Sequence, residues 1–339
     1  MAKLTLTRRS VLAGAAVFSS APFIIRPLRA ADYKFAQYHN QAPESSLNKR
    51  LVEMWAAIRA ETNGRIETQV FAENNRLPGG DPAVLKMLLA GEVQFFTLMG
   101  GILGNVVPVA EVQQVPFAFR TPTDAHRAVD GALGAYLREE MAAKGIYGFP
   151  VSAFDNGMRQ VSSSTRPITQ PADLVGIKIR IPAGQMAADT FKAFGAEPVV
   201  INANGIYDGL KSGKVEAQEN PLAIVELFKL YEVQKYVSMT NHMWSAFNLM
   251  AHLATWQSLP DDLKTVIERN TTQYVRLQRA DQAKLNEELR GRLAGRGLVF
   301  NDVEQAPFRA KMAGVYASWK EKLGTKCWSL LEAETGRLA

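Results

Sequence analysis

The 339-residue chain has a single cysteine, Cys327, and four histidines, His39, His126, His242 and His252, none at metal-ligand spacing. One cysteine excludes an intramolecular disulfide framework, and the histidine spacing provides no zinc-type motif. Neither a metal nor a cofactor is expected. Serine chemistry is also missing its sign, because no serine sits in a G-x-S-x-G elbow. Gly100-Gly101-Ile102-Leu103-Gly104 lacks the G-x-G-x-x-G order and reads as a close-approach turn instead. At Gly213-Lys214, Asp208 stands where a phosphate loop needs its first glycine and Val215 where it needs Ser or Thr. No Lys/Arg block is interleaved with aromatics, which argues against a nucleic-acid partner.

The chain has one marked hydrophobic run, Val11 to Ile25, too short for a membrane anchor and interrupted by Pro22. With basic Lys3, Arg8 and Arg9 before it and Ala30-Ala31 after it, residues 1–30 have the form of an export signal. Thr7-Arg8-Arg9-Ser10-Val11-Leu12 carries the paired arginines of the twin-arginine route, with the general secretory route as the alternative. The protein is therefore expected in the periplasm. Five of the 39 basic residues and none of the 33 acidic ones fall in this segment, so the formal charge drops from +6 to +1 without it. A nearly neutral exported chain suits a small-molecule partner better than a polyanion. At 47% hydrophobic composition, the remaining length readily builds a core.

The rest alternates strand and helix. Tyr33–Tyr38, Arg65–Ala72 and Val93–Met99 alternate as strands, and Ser46–Ala60 and a segment opening at Asp81-Pro82 have helical patterns. A helix over Ala125–Ala143 and a strand over Ile146–Phe154 follow. A second block repeats the pattern from Ile177 to about Val233, and Tyr236–Leu253 reads as extended. A long helix runs from Asp261 to about Leu293. Two closing helices lie near Phe308–Leu323 and Lys326–Glu334. The absence of a run of hairpins argues for parallel sheets covered by helices. Two α/β blocks with extended crossings near Val151–Asn156 and Asn241–Phe247 describe two lobes joined by a hinge, with the ligand cleft between them.

Within the second block, Gly176-Ile177-Lys178-Ile179-Arg180 and Val215-Glu216-Ala217-Gln218-Glu219-Asn220-Pro221 place Arg180 and Asn220 at matching ends of two apolar runs. Strand ends border the crevice of an open α/β sheet, so this pair suits a carboxylate. The alternative is that both are ordinary surface residues. Glu216 and Glu219 are assigned to solvent or to the hinge.

Leu77-Pro78-Gly79-Gly80-Asp81, Pro116-Phe117, Asp155-Asn156-Gly157-Met158-Arg159-Gln160, Asp173 to Arg180 and Gln218-Glu219-Asn220-Pro221 come in the order found in the solute-binding proteins of tripartite ATP-independent periplasmic (TRAP) transporters. So does the His242 region before Leu259-Pro260, and the chain resembles that DctP-type family over essentially its whole length after the signal. The resemblance implies an α/β fold of the type II periplasmic-binding-protein class, two lobes joined by a hinge with long C-terminal helices. The expected division is 31–155 with 243–285 in one lobe, and 156–242 with 286–339 in the other.

The resemblance also implies that Arg180 pairs with a ligand carboxylate, that Asn220 donates to the same group, and that Arg159 lies near the ligand or acts as an inter-lobe structural arginine. Where sialic-acid-type members place a glutamate, an asparagine and an aromatic, Met99, Ala183 and Ala203 stand here. Tyr38, Phe117, Phe154, Trp244 and Phe247 are expected to border the cleft, and His39 and His242 are candidates for ligand contact. This pattern leans to an aromatic or apolar monocarboxylate or keto acid, with a C4-dicarboxylate, a sugar acid or a sensor-linked role as alternatives. A monomer serving TRAP membrane permease subunits is expected. An exported enzyme would need an acid–base set that the sequence does not supply.

Overall fold

The computed structural model describes residues 31–338, and the expected export signal lies outside them. Nine strands form one continuous sheet. They are β1 (Tyr33–His39), β2 (Ile66–Phe71), β3 (Phe95–Met99), β4 (Ile146–Ser163), β5 (Lys178–Ile181), β6 (Glu197–Val200), β7 (Ala217–Asn220), β8 (Tyr236–His252) and β9 (Val299–Asp302). Their order is β2-β1-β3-β8-β4-β7-β5-β6, with β9 beside β8. The first lobe is organised on parallel β2-β1-β3 and the second on parallel β7-β5-β6. Helices Ser46–Glu61, Gly80–Leu89 and Gln185–Ala193 supply crossovers, as parallel neighbours require.

The expectation of purely parallel sheets fails at the junction. There β8 runs antiparallel to both β3 and β4, and β4 is antiparallel to β7. The reason is length. β4 has 18 residues and β8 has 17, so each extends roughly 55–60 Å at about 3.3 Å per residue and crosses both lobes. The extended crossings expected near Val151 and Asn241 are thus the middles of two strands that belong to both halves. Register shifts interrupt the β4–β8 pairing between Asp155 and Gly157 and between Arg159 and Val161. Such bulges bend a strand and re-aim its side chains. Gly157 takes φ +109° there, a value closed to other residues without strain.

The helix Asp261–Ala294 packs on β4 and against both Ser46–Glu61 and Leu222–Leu227, so it supports the two lobes together. Its Gln278 closes two hydrogen bonds on the bulged backbone of Asp155, accepting from N at 2.7 Å and donating to O at 2.8 Å. These bonds satisfy backbone groups that an interrupted ladder leaves free. Arg279 beside it donates to Ala153 O and forms a two-pronged pair with Asp130.

The segment expected as one helix over Ala125–Ala143 is two, Pro122–Asp130 and Ala132–Ala142, broken at Gly131. The two expected closing helices lie on either side of Gly324, which breaks the element Ala313–Thr335 with a non-helical φ of 79° and ψ of 159°. The element rests on Pro108–Gln114 of the first lobe and on Gln185–Ala193 of the second.

Candidate ligand-binding site

β5 reads Lys-Ile-Arg-Ile, and its alternation sends Ile179 and Ile181 into the core while Arg180 takes the opposite face, towards the cleft. Arg180 is 3% exposed, and its Nε donates to Ile201 O at 2.8 Å. Among the described residues, no carboxylate comes within ion-pair distance of it and its Nη groups have no acceptor. Burial draws its pKa down to about 9, with Glu219 and Asp81 working to hold the charge and Arg159 opposing them. The group therefore remains a cation at neutral pH. It is desolvated, unpaired and open to a cavity.

Arg159, on β4, is the contrary case. Its Nε and Nη2 grip the two carboxylate oxygens of Glu219, and Nη2 also reaches Glu219 O at 2.7 Å and Asn220 Oδ1 at 3.1 Å. Its Nη1 meets Ser245 Oγ at 3.2 Å and the Met99 sulfur at 3.6 Å. Both members are buried, so the pair is desolvated and its geometry is two-pronged, as the strongest ion pairs are. His242 Nε2 stands 3.2 Å from Glu219 Oε2, and its Nδ1 is 2.8 Å from Thr240 Oγ1. Burial alone would raise the Glu219 carboxyl, yet the Arg159 charge and the His242 bond outweigh it and hold it at about 2. Glu219 is therefore fully buried and ion-paired where β7 meets β4, so of its two expected placements, solvent and hinge, solvent is excluded.

Between the two arginines lies a narrow cavity. Arg180, Asn220, Arg159 and Met99 all line it, together with Ala183, Ala203 and Phe247. The Asn220 amide donates to Gln218 Oε1 at 2.6 Å and its oxygen is held by Arg159, which leaves one Nδ2–H uncommitted. Both Arg180 and Asn220 are buried, which removes the surface alternative.

The other expected residues stand elsewhere. The Tyr38 ring stacks on Phe71 at 4.6 Å. Phe117 has φ 55° and serves the hinge through its backbone, donating to His242 O at 2.8 Å. Trp244 donates to Asp155 Oδ1 at 2.8 Å and packs edge-on against Phe119. Alternation along β8 explains it: Ser245 and Phe247 face the site, so Trp244 points to the other side. His242 is one contact removed, behind Glu219. Phe154 and His39 are buried outside the cavity lining.

Sequence reasoning passed over the polar wall facing Arg180. Asp81 is 3% exposed and accepts from Asn40 Nδ2 and Asn74 Nδ2, both at 2.6 Å. Asn40, Gln41, Asn156 and Asn202 line the same cavity. In the sequence Asp81 is legible only as a helix-starting residue, because its partners are Asn40, 41 residues earlier, and Asn74 in the preceding loop.

The lobes meet around this cavity. Asn105 Nδ2 donates to Ala183 O at 2.8 Å, and Asn202 Nδ2 reaches Gly79 O at 3.4 Å. Gly184 rests on the Gly101 backbone, so that a Cβ on it would lie 3.2 Å from Gly101 O. Glu111 of the first lobe accepts from the N–H groups of Gln185 and Met186 that open the second-lobe helix Gln185–Ala193. Burial pushes its carboxyl up to about 8 against those two bonds, with Asp189 adding to the shift and Lys322 opposing it. An acid that holds its proton more tightly when folded makes stability fall as pH rises from the free value of 4.5 towards 8. Thermal unfolding of Glu111→Gln across pH 5–8 is expected to lack that decline; an unchanged slope would assign it to another group.

Two lobes closed on a buried, unpaired guanidinium define a periplasmic-type solute-binding protein. The family described as bacterial extracellular solute-binding protein, family 7 (DctP), matches residues 37–322, and the chain belongs to it: it is a solute-binding protein of the TRAP transporter class. An uncharacterized protein of Sinorhizobium fredii, y4mM, is 32% identical over 267 residues; the match takes in 78% of this chain but only 48% of that protein's length. The solute-binding protein RD1_1052 of Roseobacter denitrificans is 29% identical over 87% of this chain and 88% of its own. Its crystal structure, with bound L-galactonate, superposes with a TM-score of 0.83 over 89% of this chain and 99% of that one. The C4-dicarboxylate-binding protein DctP of Rhodobacter capsulatus is 27% identical over 97% of this chain and 99% of its own.

Proposed function

We propose that this chain is a periplasmic receptor that closes on a sugar acid, a hydroxylated monocarboxylate, and delivers it to TRAP membrane permease subunits. The observation that carries the reading is the Arg180 guanidinium, buried and without a carboxylate partner among the described residues. A planar carboxylate matches its fork in a way that a neutral group does not. Asn220 supplies a further donor to the same oxygens. Ligand shifts the lobes towards closure only through its higher affinity for the closed form, and a carboxylate bridging the wall of Arg180 and the wall of Asp81 has that property.

The rest of the ligand follows from the opposite wall. Asp81, Asn40, Asn156 and Asn202 are matched to hydroxyl groups, each of which needs a partner once buried. This replaces the lean towards an aromatic acid: of its supporting residues Tyr38, Phe117, Phe154, Trp244 and Phe247, Phe247 alone is in the cavity lining. A C4-dicarboxylate fits less well: its second carboxylate would find Arg159 already neutralised by Glu219, and Asp81 as a competing acid. The Roseobacter relative's L-galactonate agrees with a sugar acid.

A thermal-shift comparison of L-galactonate, D-galacturonate, succinate and phenylacetate tests this. A ligand at about 100 times its Kd stabilises by about 2.7 kcal/mol, and one or both sugar acids are expected to do so. Stabilisation by succinate or phenylacetate alone would overturn the reading.

A further inference from the structure

A second, larger cavity, open to solvent, adjoins the carboxylate site. It shares Asn40, Asp81, Asn202, Ala203 and Phe228 with the inner cavity. Its lining mixes Leu77, Tyr207 and Phe228 with the amides of Asn202 and Asn204.

The rim of this outer space is an unusual piece of backbone. Glu73, Asn74, Asn75 and Arg76 all have φ between 50° and 55°, a left-handed turn of four consecutive non-glycine residues. Each such residue costs on the order of 1 kcal/mol, and strain of this kind persists where the surroundings impose it, typically at ligand clamps. Two features impose it here. Asn74 is buried and donates to Asp81, and Glu73 N is held by Gln41 O at 3.0 Å. The turn therefore fixes the outer chamber to the same Asp81 that faces the inner ligand.

We infer that the outer chamber is a second subsite for one further sugar residue, so that the ligand is a glycosylated sugar acid with its carboxylate on Arg180 and its distal ring against Tyr207 and Phe228. The inference rests on the sugar-acid reading above and extends it. A sugar ring presents apolar C–H faces and a polar edge. The chamber lining offers both kinds of group, Leu77, Tyr207 and Phe228 beside the Asn204 amide, whereas an alkyl or aryl tail would leave that amide without a partner.

Calorimetry on the full mature protein decides it, with D-galacturonate against digalacturonate and D-gluconate against lactobionate, the same aldonate carrying a galactosyl group. At least one of the two-sugar acids is expected to bind about tenfold or more tightly than its one-sugar counterpart. Tyr207→Ala removes the ring that lines the outer chamber and, with it, the hydroxyl bond to Glu232; it is expected to abolish that advantage while affinity for the one-sugar acids stays as it is. Equal or weaker binding of both two-sugar acids beside measurable binding of a one-sugar acid would overturn the second subsite and leave the sugar-acid reading intact. Binding of none of the four acids would overturn both. A tighter two-sugar acid whose advantage survives in Tyr207→Ala, while that variant still folds as judged by its melting temperature, would place the second sugar elsewhere and also contradict the inference.

Discussion

Arg180→Ala is expected to weaken binding of the sugar acid by roughly 3–5 kcal/mol, a loss of two to three orders of magnitude or more in calorimetric affinity. The size follows from the surroundings. The guanidinium is 3% exposed and has one protein hydrogen bond, so the ligand carboxylate is the partner that offsets its desolvation. Arg180→Lys is expected to recover only part of the loss, because an ammonium keeps the charge and loses the fork. The melting temperature of the ligand-free protein separates binding from folding. Alanine removes a desolvated, unpaired cation, so the unliganded variant is expected to melt no lower than the parent. Unchanged affinity in this variant would take Arg180 out of the site.

Glu219→Gln is expected to act the opposite way, on the fold first. It leaves Arg159 buried with a neutral partner, and breaking one side of a buried pair costs roughly 3–5 kcal/mol. At about 2–4 °C per kcal/mol, the melting temperature falls by several degrees or more at neutral pH. The same change removes the charge that most supports ionisation of Arg180. The acid dependence gives a second reading. The Glu219 carboxyl is held at about 2 in the folded protein against 4.5 when free. Its stabilisation is therefore complete above pH 4.5 and lost as pH falls towards 2. Part of the acid sensitivity of the parent is expected to be absent from the variant. Equal melting temperatures for the two proteins at neutral pH would mean that the Arg159–Glu219 pair contributes nothing.

Contrasting fates of the two arginines show where sequence reasoning reaches its limit. Both stand in recognisable strings, and both are buried at the same cavity. Only one has a carboxylate within reach, and that difference is made by Glu219 arriving on β7 opposite Val161 of β4. Alternation along a four-residue strand cannot reveal such a pairing, since the register comes from two strands 50 or more residues apart. Arg180 and Asn220 were legible because each ends an apolar strand in a two-block α/β pattern, and a strand end borders the crevice for topological reasons.

The aromatic residues misled for a related reason. Trp244 and Phe247 sit three positions apart on the same extended crossing, so strict alternation puts them on opposite faces, and only Phe247 reaches the cavity. Phe117 lies at a positive φ that no composition rule anticipates. Asp81 was visible as a helix start but its second task was not, because that task depends on Asn40 and Asn74 being brought to it by β1 and by a strained turn. The lobes and the hinge were legible as two blocks and two crossings. The antiparallel pairing of β4 with β8 was not, because strand direction is fixed by which lobe each end must reach.

Mass spectrometry of small molecules released from the protein, purified after export without refolding, reads the ligand itself. An organic acid with one carboxylate and several hydroxyl groups is expected, lost from the Arg180→Ala variant prepared in the same way. An aromatic acid, a dicarboxylate or a neutral compound, retained equally by both proteins, would contradict it.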